Sequence, residues 1–229
     1  MELAIKIYFH YTIHLYFSQV KFARILVYLS FSASCFFFAI ENACLLCYND
    51  KKGVDRVKID NSFYSKSADE AAPLLVGKIL CLKSKDGDVL RMRITETECY
   101  MGVEDTACHA SKGKTPRNSA LWQEGGYTYV YLCYGMYNMF NIITGSEDDP
   151  QGVLIRGVEG YMGPGKFTKF CGIDRSYNLI DMKTSDLIWL EDDGYRAMTV
   201  ASPRIGIAYA EKEDRERPWR FTDERCFVK

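Results

Sequence analysis

Apolar and polar residues alternate with a period of two in two passages, each joined by a turn dipeptide. That pattern commits the middle of the chain to antiparallel strands, because side chains of a strand point alternately to opposite faces. Ile79-Leu-Cys-Leu82 and Val89-Leu-Arg-Met-Arg-Ile94 flank Asp86-Gly87, a hairpin signal. Tyr127-Thr-Tyr-Val-Tyr-Leu-Cys133 sets Tyr127, Tyr129 and Tyr131 on one face; Tyr134-Gly135 breaks the alternation, and Met136–Thr144 reads as a return strand. Val153–Glu159 reads as a further strand. Ala68–Gly77 reads as a short helix led by acidic residues, with Gly77 as its stop and Pro73 limiting or kinking it. Strands of this kind with short helices between them, and no internal repeat, define the α+β class.

At 229 residues the chain holds one domain with an appendage, too little for two catalytic domains. Its composition is split. Residues 22–48 carry 21 apolar residues out of 27, and Ile25–Ile40 has no charge, whereas the residues from 61 onward mix 22 cations with 25 anions. The expected division is an apolar extension at 1–60 and a domain at 61–229. Sixteen uncharged residues fall short of the roughly 20 that span a bilayer, and Lys21 and Arg24 come too late for a cleavable signal. Membrane association through residues 25–40 is therefore not favoured. Nine scattered cysteines, an odd number, point to reduced thiols and a cytosolic setting. Cys44-Leu-Leu-Cys47 lacks a second pair, and His10 and His14 lack a third ligand, so no metal and no cofactor is assigned.

Two constellations could carry chemistry. Gly160-Tyr-Met-Gly-Pro-Gly-Lys166 meets half of a phosphate-binding loop, but Phe167 stands where Ser or Thr would hold Mg²⁺, and Pro164 lacks an N–H, which argues against a nucleotide hydrolase. The second is richer. Glu96 and Glu98 fall on the strand row of Met92 and Ile94, where a carboxylate needs an explanation. Around them come Tyr100, His109, the tyrosines of 127–137 and Asn141. Cys108–Asn118, with Lys112, Lys114 and Arg117, reads as a mobile basic loop. Aromatic faces, polar edges, cations for phosphates and a carboxylate for water are what an extruded nucleobase needs. The net charge of −3 over residues 61–229 restricts any DNA contact to such a local patch.

Ile94-Thr-Glu-Thr-Glu-Cys-Tyr-Met-Gly-Val-Glu-Asp-Thr-Ala-Cys-His109, Thr115-Pro-Arg-Asn118, Tyr129–Tyr137, Val153-Leu-Ile-Arg156, Gly163-Pro-Gly-Lys166 and Pro203-Arg-Ile-Gly206 run in order from about Ser62 to Phe221. They closely resemble the alkyladenine (3-methyladenine) DNA glycosylase family. The resemblance implies one α+β domain on a curved antiparallel sheet, with a β-hairpin inserted into the minor groove of double-stranded damaged DNA. It also implies a monofunctional, metal-free enzyme, expected as a monomer, which excises alkylated or deaminated purines such as 3-methyladenine, hypoxanthine or ethenoadenine. Glu98 would be the general base for water. Tyr100, His109 and Tyr131 would sandwich the flipped base, Asn141 would reject the 2-amino group of guanine, and Tyr134 would wedge into the duplex. Arg156 would contact the DNA backbone, as would the basic loop. Where the family has a longer basic segment, only Gly160-Tyr161-Met162 remain, so a non-catalytic lesion-binding module of the same fold is the alternative.

Overall fold

The computed structural model describes residues 55–227; the run 25–40, Cys44, Cys47, His10 and His14 lie outside the described residues. Strand β1 is Val57–Lys58 and β2 is Ile79–Lys83. The expected first hairpin forms between β2 and the long strand β3, Val89–Tyr100, in register from Ile79↔Arg93 to Lys83↔Val89. Gly87, at φ 92°, supplies the left-handed residue that this turn needs. Next come β4 (Thr128–Cys133), β5 (Tyr137–Thr144), β6 (Gln151–Val158) and β7 (Tyr161–Met162). The last strands are β8 (Ile188–Asp192), β9 (Thr199–Ser202) and β10 (Arg220–Asp223). They form one antiparallel sheet in the order β1-β8-β2-β3-β6-β5-β4; β10 joins β3 and β9, and β7 joins β6. The sheet curls into a half-barrel, so the class is α+β as expected.

Around Glu96–Glu98, β3 is hydrogen-bonded to β6 on one side and β10 on the other, which puts these carboxylates at the centre of the sheet. Helix α1, Ala68–Leu75, buries Ala68, Ala71, Ala72 and Leu75, the spacing of one helical face. Its ends are tied by the sheet: the Ala68 N–H donates to Gln151 Oε1 (2.7 Å), and Thr97 Oγ1 donates to the Ala72 carbonyl (2.8 Å). Those bonds hold a short helix that contains Pro73 and has no side-chain cap of its own. Helix α2, Pro164–Cys171, begins after Gly163 at φ 101°. Phe167, which disqualified the phosphate loop, is fully buried edge-on to Phe140 at 6.5 Å. Helix α3, Lys212–Glu216, completes the described helices.

The basic stretch Cys108–Asn118 connects β3 to β4 and contains one 3-10 turn, His109–Lys112. Asn118 is buried, donates its side-chain amide to the carbonyls of His109 and Gly113 (both 2.9 Å) and accepts from the Thr115 N–H (2.7 Å). One side chain thereby satisfies the backbone groups that a Gly- and Pro-containing stretch would otherwise leave to water. Among the described residues, no helix is long and apolar enough to cross a membrane.

Candidate active site

The carboxylate row on β3 is real, and its burial is specific. Glu98 is wholly inaccessible and Glu96 nearly so. Between β3 and β6 the register slips, with Ile94 opposite Val158, Glu96 opposite Gly157 and Thr97 opposite Ile155. This bulge re-aims the side chains next to it. Gly157 leaves the room, since a Cβ there would sit 3.1 Å from Thr95 Oγ1 and 3.3 Å from Glu96 Cβ.

Glu98 accepts the backbone N–H of Ile205 on Oε1 (2.8 Å) and the hydroxyl of Tyr100 on Oε2 (3.0 Å). Burial pushes its carboxyl above the ordinary carboxylate range, against the opposing pull of Arg156, the Ile205 N–H and Tyr100. Arg156 is half-buried on these carboxylates: its Nε donates to Glu96 Oε1 at 3.1 Å and lies 3.5 Å from Glu98 Oε1. Arg220 donates to the same Glu96 oxygen at 3.1 Å and, through Nε, to Ser202 Oγ at 3.0 Å.

Next to the carboxylates lies an aromatic pocket lined by Tyr100, Cys108, His109, Tyr129, Tyr131 and Asn141, with Tyr209 also in its wall. Tyr100 belongs to both, with its ring in the pocket and its hydroxyl on Glu98. His109 Nδ1 lies 2.9 Å from the Tyr129 hydroxyl. Burial, reinforced by Arg117, lowers the His109 pKa and so favours the neutral ring, in which one nitrogen donates and the other accepts. The rings of His109 and Tyr131 meet edge-on with centroids 4.5 Å apart. No third ring fits between them, and both line the pocket together with Tyr100. The amide of Asn141 donates to the carbonyls of Tyr129 (3.0 Å) and Met139 (3.3 Å), so its nitrogen is committed to the backbone. The cavity measures about 30 Å³, the share of one water rather than a purine. Tyr209 is well exposed and held by a single bond to the Ala107 carbonyl (2.9 Å), so it can swing aside cheaply.

The β4–β5 hairpin projects its turn into solvent. Tyr134 is 83% exposed, beside the exposed Met136 and Tyr137. Tyr134 and Gly135 have φ 49° and 69°, and the Met136 N–H donates to the Cys133 carbonyl (3.1 Å). A bulky non-glycine residue in the left-handed region is strained, and here no packing recovers that cost. Of the cationic candidates, Lys112 is exposed, Arg117 donates to the Leu132 carbonyl at 3.3 Å, and Lys114 pairs with Asp148 at 3.3 Å.

Several residues here had no role in the sequence reading. Arg204 and Asp105 form a fully buried bidentate pair, with contacts of 2.5 and 2.8 Å. The guanidinium lies 4.8 Å from the Tyr100 ring centre and 4.9 Å from that of Trp219. It anchors the segment whose next residue, Ile205, reaches Glu98. The only sequence signal was the Pro203-Arg-Ile-Gly206 motif. Ile205 acts through its backbone, which no side-chain pattern reveals. Among the described residues no three His, Cys, Asp or Glu side chains gather as a metal set.

The site thus consists of a buried carboxylate joined through Tyr100 to an aromatic pocket, on a curled sheet whose β4–β5 turn is exposed. Residues 62–162 and 160–226 match the model of the methylpurine-DNA glycosylase family, and the chain belongs to that family. Its relatives include proteins named "Putative 3-methyladenine DNA glycosylase" from Borreliella afzelii, 40% identical over 71% of this chain and 94% of the relative, and from Methanocella arvoryzae, 40% identical over 72% and 92%. A third so named, from Clostridium tetani, is 39% identical over 72% of this chain and 95% of its own length. The family match restarts at residue 160, where β6 turns tightly into β7 and then into α2.

Proposed function

We propose that the protein, as a monomer working wherever the cell keeps its DNA, flips an alkylated or deaminated purine out of a duplex and hydrolyses its glycosidic bond. The lesions are of the 3-methyladenine, hypoxanthine and ethenoadenine class. The observation that carries this reading is Glu98, wholly buried yet one hydrogen bond from the pocket wall through Tyr100. Glu98 takes a proton from water as the water oxygen bonds to C1′ of the deoxyribose. The bond to the purine breaks, and its electron pair leaves with the base. A purine that alkylation has made cationic departs neutral and needs no proton; a neutral one needs protonation. The carboxylate also stabilises the positive charge developing on the sugar, more strongly in a buried site than in water. Tyr100 stacks on one face of the base, His109 and Tyr131 cover the other, and Asn141 contacts its edge. Lys112, Lys114, Arg117 and the outer guanidinium nitrogens of Arg156 lie towards the DNA backbone. Incubating the protein with methylated duplex DNA, then cleaving abasic sites with alkali, should give strand breaks; intact strands with no free methylated base would overturn the proposal.

Tyr134 is the wedge, on the strength of its exposure and its left-handed backbone. Tyr134→Ala should slow excision more on a fully paired duplex than on a single strand, because the ring offsets the few kcal/mol needed to unstack and unpair a nucleotide. Equal losses on both substrates would assign it to the pocket instead.

Residues 1–60 lie outside the catalytic unit, with the qualification that β1 and Ile59, whose N–H donates to Leu190, already belong to the sheet. Deleting residues 1–54 should therefore keep excision at the parental rate. It should also raise solubility by removing an apolar segment. A truncated protein that melts cooperatively but releases no base would refute this.

A further inference from the structure

Glu96 has no part in the hydrolysis just described, yet it is buried at the centre of the sheet and engaged with two cations. Its Oε1 accepts both the Arg156 Nε and an Arg220 nitrogen at 3.1 Å. A buried carboxylate between two guanidiniums is costly to desolvate, and a sheet centre can be filled with apolar side chains at no such cost. The neighbouring geometry supplies a reason. Arg156 Nε stands nearer to Glu96 than to Glu98, which it faces at 3.5 Å. An arginine left alone with Glu98 would close into a tight pair and occupy the oxygen lone pairs that water must use.

We propose that Glu96 is a positioning residue, which draws Arg156 aside through an oxygen shared with Arg220 and so keeps Glu98 available as a base. The proposal rests on the reading of Glu98 as the general base. Gly157 and the β3 bulge belong to the same device, since they admit the Glu96 side chain beside Arg156. The groups facing Glu98 are few: Glu96 and Tyr100 from its own strand, Arg156 from β6, Arg220 from β10 and Tyr131 from β4. Arg204, one residue before the Ile205 amide, is spent on Asp105. Loss of the Glu96 charge would leave Arg156 with Glu98 alone, which favours the ionised form of Glu98 and weakens it as a base.

The test is single-turnover release of 3-methyladenine from methylated duplex DNA, across pH, for the whole protein. Glu96→Gln should lower the plateau about tenfold and move the acidic limb down by about one pH unit. DNA binding should be retained, because the change removes a negative charge. Arg220→Gln should move the limb upward, since Glu96 would then attract Arg156 undivided. In an Arg156→Gln background Glu96→Gln should shift the limb by much less, through the direct repulsion between the two carboxylates alone, because residues that act through each other are not additive. The proposal is overturned by a parental limb in a folded Glu96→Gln protein, or by the same shift with Arg156 already removed. Loss of all chemistry in Glu96→Gln, with Glu98→Gln active, would overturn the assignment of Glu98 itself.

Discussion

Glu98→Gln is expected to release methylated purines about 10²–10⁴ times more slowly than the parent, while still binding the damaged duplex. The amide keeps the shape of the carboxyl and can still accept the Ile205 N–H, so the pocket wall stays in place. What disappears is the group that takes the proton from water and the negative charge beside the developing sugar cation. In the parent, burial holds the Glu98 carboxyl above its usual range. The base must be ionised to act, so the rate should fall as the pH drops through that raised value, with the limb lying above the ordinary carboxylate pKa of about 4.3. In Glu98→Gln that limb should vanish along with the activity. A folded Glu98→Gln protein that excises at the parental rate would remove Glu98 from the mechanism.

The strands of the domain were legible because each carries its instruction locally. Asp86-Gly87 and Tyr134-Gly135 both became turns, and the alternating runs beside them became β2, β4 and β5 with shifts of one residue at most, while β3 runs six residues past Ile94 to Tyr100. Less legible was whatever depends on contacts distant in sequence. The 3-10 turn inside the basic Cys108–Asn118 loop has no periodicity to announce it; one buried side chain, Asn118, ties the loop together. Strand β10 has little pattern of its own and is held by pairing with β3 and β9.

The site followed the same division. Glu98, Tyr100, His109, Tyr131 and Asn141 lie 43 positions apart at most in the chain, and a carboxylate on an apolar row was itself a signal. The partners that set their chemistry were hidden. Arg220 reaches Glu96 across 124 residues, and Ile205 reaches Glu98 across 107. Alternation alone also gives the wrong reason for the burial of β3. Thr95, Thr97 and Cys99 are buried as well as Glu96 and Glu98, because β3 is covered on both faces.

Asp105→Ala is expected to lower the free energy of unfolding by about 3–5 kcal/mol, the cost of leaving the Arg204 guanidinium buried without its partner. For a chain of this size that is a fall in melting temperature of about 6–20 °C. The cost should lie at the upper end, because Asp105 also accepts the N–H groups of Met101 and Ala107, and Arg204 Nε is already buried without a partner. A surface pair makes the contrast: Lys212 and Glu216, both largely exposed at 3.8 Å, should contribute at most about 1 kcal/mol. Replacing both members, as in Asp105→Leu with Arg204→Met, should recover much of the loss, since no charge is then stranded. Activity should not recover with it. The doubly substituted protein lacks the cation against Tyr100 and the anchor behind Ile205, so both groups that hold Glu98 lose their support. Thermal melting and excision measured on the same variants separate the two effects. A double variant restored in both stability and rate would show that the pair serves the fold alone.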